Sequence, residues 1–339
     1  MKLLKNESSF YELDLYHFAY EYSCNELNCV SQSIAVASSF FNNDYYYLYA
    51  VLDSLYVMWK DEISLNKDLQ FESTINKRLK NLNLQLIVNT LPNEKDLFDF
   101  IKSKINSKIP IIFNPKRNKL SYCSDYGNIN NKSIHSIIIG GYSDERNALL
   151  LRDIAHVESC GLDLQNKYGL LKLYLSFDMF LDIWRNSNKD FSENKILSFY
   201  ENKLFTIEPI GNIKLNLFEL DFLKSIFNSN ILKDKSNLLK MIEEFKYTIN
   251  NNKDLVEIEY KLNFIGLYMV NTNKVLIDVL YKLNYNNIIL EDISKTLEKI
   301  YINLLLIIKN LKTNKKNYNI NRLINLINIF EEKIRMVFV

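Results

Sequence analysis

The feature of this sequence that most constrains its fold is a change in character at Gly211. Beyond it the β-strand signals disappear, and the remaining residues contain one glycine, Gly266, and no proline. Apolar residues recur there at the three- and four-residue spacing of amphipathic helices. The segments with this pattern are residues 215–227, 237–249, 255–283, 289–309 and 319–337. We therefore predict an all-helical domain over residues 211–339.

The first 210 residues combine helix and strand patterns. Helical spacing covers residues 29–41, 45–60 and 93–104, and Ser176 is expected to cap a further helix. Short apolar runs typical of strands occupy residues 84–88, 109–113, 120–123, 133–142, 147–153, 170–175 and 204–207. Helices followed by an antiparallel sheet with segregated helices predict an α+β domain over residues 1–210.

Composition narrows the class of protein. Of the 339 residues, 47% are apolar and the net charge is +2, which is typical of a globular chain that does not bind nucleic acid. The first residues lack the apolar core of a signal peptide. The apolar runs are far shorter than the roughly 20 residues of a membrane span. We therefore expect a cytoplasmic protein with no membrane association.

The four cysteines, Cys24, Cys29, Cys123 and Cys160, lack paired C-x-x-C spacing. Neither a structural zinc site nor a disulfide framework is indicated, and we expect no bound metal. Cytoplasmic thiols stay reduced, so each cysteine is available for chemistry or packing.

Cys29 stands at the start of a predicted helix, directly after Asn28, a good N-cap. The positive end of the helix dipole favours the thiolate, which is the nucleophilic form of cysteine. Burial as a small apolar residue is the more common role of a free cysteine. A nucleophilic role therefore requires a partner base.

The chain offers three histidines as that base: His17, His135 and His156. His135 lies in the strongest predicted strand, and a turn at residues 143–145 would place it directly opposite Asp153. Opposite β-carbons are about 4.5–5.5 Å apart, which lets a carboxylate orient an imidazole. A one-residue change in turn length would put the two on opposite faces. A core histidine and an edge aspartate in an ordinary hairpin is the alternative.

These elements, in this order, resemble the papain-like cysteine fold. The closer likeness is to the branch that contains double-glycine-leader peptidases and butirosin biosynthesis protein H-like proteins. The matching segments are the nucleophile helix at residues 28–35, the preceding hairpin at Pro110-Ile111-Ile112 with Leu120 and Tyr122, the histidine strand at 135–142, the aspartate strand at 150–153 and the closing helix at 175–184. The likeness spans about residues 20–210.

Two positions depart from that family's pattern. The peptidases carry a glutamine shortly before the cysteine as an oxyanion donor, whereas this chain has Asn25 and Asn28 in that region. The resemblance therefore implies that Asn25 or Asn28 completes an oxyanion hole with the Cys29 amide. The family's Gly-Tyr-Asp is Gly141-Tyr142-Ser143-Asp144 here, which leaves the turn register open by one residue.

The resemblance implies an acyltransferase with Cys29, His135 and Asp153 as its catalytic residues. Butirosin-type members, and related enzymes of closthioamide-type pathways, form amides in nonribosomal, thiotemplated antibiotic biosynthesis. The acyl group passes from the phosphopantetheine thioester of an acyl or peptidyl carrier protein to a small amine, so the enzyme needs no cofactor of its own.

Two other functions stay open, and so does the carrier-docking surface. A cysteine peptidase or amidase would use the same three residues, and a catalytically idle scaffold would only bind a carrier protein or peptide.

Acidic carrier proteins favour a basic docking surface. The candidate residues are Lys116, Arg117 and Lys119, or Lys309, Lys312, Lys315, Lys316 and Arg322, although lysine-rich runs are also typical of solvated joints.

Overall fold

A computed structural model of the chain describes residues 10–15, 29–59, 71–91, 93–123, 126–130, 133–153, 171–193, 197–212, 220–226, 234–250, 258–259, 261–313 and 318–338. The chain divides into two compact units, Met1–Tyr49 with Leu65–Leu215, and Ala50–Ser64 with Asn216–Val339. The predicted boundary lies between residues 210 and 211. Residues 50–64, which the sequence assigned to the first domain, belong to the second unit.

The first unit mixes helices with an antiparallel sheet, which confirms the α+β prediction. Its elements are β1 Tyr11–Glu12, α1 Cys29–Ser39, the start of α2 Tyr45–Trp59, α3 Phe71–Leu79, β2 Leu84–Thr90, α4 Glu94–Asn106, β3 Ile111–Phe113, β4 Ile137–Ser143, β5 Ala148–Asp153, β6 Leu171–Ser176, α5 Phe177–Ser192 and β7 Lys203–Pro209. As predicted, Ser176 caps α5, because its hydroxyl accepts a hydrogen bond from the Met179 amide at 3.2 Å.

The strands follow the spatial order β2-β7-β3-β4-β5-β6, and β1 pairs with β4. The last strand, β7, therefore lies between β2 and β3, where its residues Leu204, Phe205 and Ile207 are buried. The prediction of a strand at residues 120–123 is wrong, because these residues form a turn that follows a 3-10 turn at Arg117–Lys119. Its Leu120 side chain is buried, which accounts for the strand-like apolar signal.

Helix α1 lies against the sheet and packs on β3, β4 and β7. Every residue from its third to its last is buried, and most of them are alanine or serine. Small side chains let the helix backbone approach the strands closely, and the apolar area removed from water stabilises that packing. This packing fixes the position of the start of α1, and therefore of Cys29, relative to the sheet.

The described residues of the second unit form helices joined by turns, which confirms the prediction of a C-terminal helical region. It contains the later part of α2, α6 Leu220–Ile226, α7 Asn237–Asn250, a π-helix Lys261–Gly266, α8 Leu267–Lys282, α9 Asn287–Lys312 and α10 Ile320–Phe338. The segment predicted as one helix over 255–283 contains that π-helix. At its end, a β-carbon on Gly266 would come within 3.0 Å of Met241 and 3.3 Å of Leu304, so glycine permits this packing.

The α2 residues of this unit contact its other helices through polar groups. Asp53 is buried and accepts a hydrogen bond from the Tyr268 hydroxyl, and the Asn237 side chain donates to the Val57 carbonyl at 2.9 Å. Across the described residues, none of the helices combines the length and the apolar character needed to cross a membrane.

Candidate active site

His135 lies just before β4 and is held there by its backbone. Its amide donates to the Pro115 carbonyl at 2.9 Å, and the next residue, Ser136, accepts a hydrogen bond from the Ser33 hydroxyl at 3.2 Å. Ser33 stands one helical turn after Cys29, so this bond ties the nucleophile helix to the histidine segment. Only 6% of His135 is exposed.

Asp153, the last residue of β5, faces the His135 ring. The histidine Nε2 is 2.8 Å from Asp153 Oδ1 and 2.9 Å from Oδ2. The Asp153 side chain is fully buried, so water does not compete for its oxygens. Tyr122 donates a hydrogen bond from its hydroxyl to Oδ2 at 2.6 Å. The sequence-predicted histidine–aspartate pair is therefore present.

The predicted hairpin register, however, is wrong. The turn occupies residues 144–147 instead of 143–145, so Ser143 pairs with Ala148 and Tyr142 with Leu149. Continued without interruption, that register would set Asp153 opposite Ile138. His135 would then lie on the other face of the hairpin, because side chains alternate along a strand.

A β-bulge at Gly140 returns His135 and Asp153 to the same face of the hairpin. The register shifts between Ile139 and Gly141, so that Ile138 pairs with Arg152. Continued in this register, Asp153 falls opposite Ile137, and His135 is the diagonal neighbour on the same face. Relative to the predicted register, the observed turn shifts the strand pairing by an odd number of residues, and the bulge shifts it by one residue. The two shifts together are even, so His135 and Asp153 stay on one face of the hairpin.

Cys29 is the first residue of α1, half-buried, and interacts with the same imidazole. Burial lowers the pKa of His135, but the charge and hydrogen bond of Asp153, together with those of Cys29, raise it from 6.5 to about 10. At neutral pH the ring is therefore an imidazolium between a carboxylate and a sulfur. Since Nε2 faces Asp153, Nδ1 is the nitrogen left for the thiol.

This arrangement has the parts of an activated nucleophile: a sulfur, a charged imidazole and a buried carboxylate that orients it. The Cys29 amide belongs to the first helical turn, where amides have no intrahelical acceptor and can donate to a developing oxyanion. The predicted oxyanion side chains, Asn25 and Asn28, lie outside the described residues.

Several other candidates lie outside the described residues as well, namely His17, Cys24, His156 and Cys160. Cys123 is a buried thiol in the turn that carries Tyr122. In the part of the chain that the structure describes, no group of three or more histidine, cysteine, aspartate or glutamate side chains is arranged to hold a metal ion.

The two lysine-rich runs differ in their surroundings. Lys116 is only 4% exposed, and Lys119 forms an ion pair with Asp190 at 3.2 Å, so the first run is packed into its unit. In the second run, Lys309, Lys312 and Arg322 are exposed on helices α9 and α10. Lys315 and Lys316 of that run lie outside the described residues.

The sequence did not predict the contacts that support Cys29, His135 and Asp153. Tyr122 reaches Asp153 from 31 residues earlier in the chain, and Ser33 reaches Ser136 from 103 residues earlier. No periodicity links such positions, because the contacts arise from where loops and helices meet in space. The only signal in the sequence would have been a hydroxyl side chain predicted to lie near the strand that ends in Asp153.

No protein-family model matches the chain, and no curated protein matches it significantly.

Proposed function

We propose that this protein is a papain-like cysteine acyltransferase that forms amides from carrier-protein thioesters. The observation that carries the proposal is the buried His135–Asp153 pair with Cys29 on the same imidazole. A buried nucleophile helix packed on an antiparallel sheet that bears the histidine and the aspartate supports the papain-like assignment. The substrate class comes from the resemblance to butirosin-type proteins.

The first half-reaction transfers the acyl group to Cys29. The Cys29 sulfur attacks the thioester carbonyl, so a new sulfur–carbon bond forms while the bond to the pantetheine sulfur breaks. The His135 imidazolium gives its proton to the departing thiolate and becomes neutral. One thioester replaces another, so this step costs little free energy, and the Cys29 amide stabilises the oxyanion.

The second half-reaction transfers the acyl group to the amine. The amine nitrogen attacks the Cys29 thioester, a nitrogen–carbon bond forms, and the sulfur–carbon bond breaks. Neutral His135 accepts the proton that the nitrogen loses, which regenerates the imidazolium beside the Cys29 thiolate. Asp153 holds the ring in both steps through Nε2.

Intact-protein mass spectrometry tests this proposal. Incubation with an acyl-loaded carrier protein should add the mass of the acyl group to the wild-type chain, and a primary amine such as ethanolamine should then remove it as the amide. The Cys29→Ala variant should gain no mass. The matched control, Cys160→Ala, removes a different thiol of the same chain and should load normally.

Two outcomes would overturn the proposal in different ways. An acyl adduct on Cys29→Ala would show that another residue is the nucleophile. Release of free acid with no amide, when amine is supplied, would instead identify a hydrolase that uses the same three residues.

A further inference from the structure

We infer that Tyr122 is a positioning residue, which fixes the Asp153 carboxylate so that its oxygens stay directed at His135 Nε2. This inference rests on the proposed role of Cys29, His135 and Asp153, and it adds a fourth member that acts through the Asp153 carboxylate. The observation behind it is the 2.6 Å hydrogen bond that the Tyr122 hydroxyl donates to Asp153 Oδ2.

The carboxylate needs such a partner. Asp153 is fully buried, and a buried carboxylate oxygen without a donor is costly. The terminal torsion of aspartate is also soft, so the histidine bond alone does not hold the carboxylate plane. From the described residues, a tyrosine and a histidine supply the hydrogen bonds to its oxygens.

Tyr122 itself is well placed to be rigid. It lies in the turn that follows the 3-10 turn Arg117–Lys119, where the Cys123 amide donates to the Leu120 carbonyl at 3.0 Å. Leu120 and Cys123 are both buried, so the backbone on either side of Tyr122 is anchored in the unit. The hydroxyl can therefore hold the carboxylate at little entropic cost.

Among the described residues, the charges that act on the His135 ring come from α1 and β5. Cys29 faces His135 from α1, Asp153 faces it from β5, and Tyr122 reaches Asp153 from its turn. Strand alternation directs Arg152 away from Asp153, and it forms an ion pair with Glu12 of β1. The Lys116 backbone forms a β-bridge with Ile134, the residue before His135.

Tyr122→Phe removes the hydroxyl and keeps the ring. If Tyr122 positions Asp153, the carboxylate rotates away from Nε2 in this variant and the His135 pKa falls toward 6.5, since its partnership with Asp153 raises it. We expect a fall of about one pKa unit, and about a tenfold drop in kcat with KM unchanged, as for loss of one hydrogen bond to a charged group.

NMR titration of the imidazole protons measures the His135 pKa without any substrate. The chain has three histidines, and His135→Gln identifies the signal. Tyr126→Phe is the matched control, because Tyr126 follows in the same loop and is 61% exposed. It should leave the titration and kcat unchanged.

The outcomes separate this inference from the proposed function. An unchanged His135 titration in Tyr122→Phe overturns the positioning role, even if the enzyme transfers acyl groups. A lowered pKa supports it, even if the protein proves to be a hydrolase. A lower melting temperature with an unchanged titration would show that Tyr122 is merely structural.

Discussion

At the scale of single residues, the site depends on a histidine that is buried and charged at the same time. Burial alone would favour the neutral ring, but the carboxylate of Asp153 and the sulfur of Cys29 outweigh it. A fully buried carboxylate beside a charged imidazole is stable because each neutralises the other. The raised pKa that this pairing gives His135 therefore links folding to proton binding.

The stability of the protein should consequently depend on pH through His135. The folded state holds the His135 proton up to a pKa of about 10, whereas an unfolded histidine loses it near 6.5. The contribution is thus complete below pH 6.5 and is lost as the pH rises to about 10. Wild-type protein should lose up to a few kcal/mol more than His135→Gln over that interval.

Denaturant titrations at pH 6, 8 and 10 would measure the free energy of unfolding of both proteins. A difference between wild type and His135→Gln that stays constant across these pH values would contradict the prediction.

At the scale of elements, the β4–β5 hairpin decides whether the site exists. With the turn at residues 144–147, the bulge at Gly140 is what leaves His135 and Asp153 on one face. Strand β1 secures the bulge, because the Leu13 amide donates to the Gly140 carbonyl at 2.8 Å. Gly141 allows that approach, since a β-carbon there would lie 2.5 Å from the Tyr11 carbonyl oxygen.

Deletion of Gly140 should leave the pair in place while it straightens β4. Without the extra residue, the Ile139–Leu151 pair follows the Gly141–Leu150 pair directly, so Asp153 stays opposite Ile137 and on the face of His135. The His135 pKa should therefore stay at about 10, and Cys29 should still be loaded with the acyl group. NMR titration of the histidines gives the first quantity and intact mass the second.

Gly140→Ala is the matched control for the deletion. It keeps the residue count of the bulge, and its β-carbon would meet the Arg152 and Leu15 side chains at 3.1 Å, which asks for only a small adjustment. Its His135 pKa should stay near that of the wild type. A deletion variant that melts cooperatively but whose His135 titrates near 6.5 would contradict this register.

At the scale of the whole molecule, the two units are not contiguous in sequence. Helix α2 begins in the first unit, and its residues from Ala50 onward belong to the second. There Asp53 and Val57 accept hydrogen bonds from Tyr268 and Asn237. The helical unit therefore depends on a segment that precedes most of the first unit.

A fragment of residues 211–339 should accordingly be incomplete. It lacks the α2 residues, which leaves Tyr268 and a buried apolar surface without their partners, so we expect a low, broad thermal transition by circular dichroism. Addition of a synthetic peptide of residues 45–59 should raise the melting temperature, and a peptide with Asp53→Ala should raise it less. A fragment that melts cooperatively at the same temperature with and without the peptide would contradict this.

Local patterns were sufficient to predict much of this protein. Residue spacing along one helix or strand is a property of neighbouring positions, so the helices at α1, α2 and α7 and the strands at β4 and β5 were predicted to within a few residues. The α+β class and the helical C-terminal region followed from the same signals. The pairing of His135 with Asp153 was also foreseen, although from a register that the hairpin does not have.

The tertiary structure alone decided the rest. The place of β7 inside the sheet, the bulge at Gly140, the contact of Tyr122 with Asp153 and the transfer of residues 50–64 to the helical unit all join distant segments. Such contacts are selected by how whole elements fill space and satisfy buried polar groups, and no periodicity within one segment encodes that. Cys29, His135 and Asp153 were therefore predictable as residue types in a given order, whereas their meeting at one imidazole ring was a result of packing.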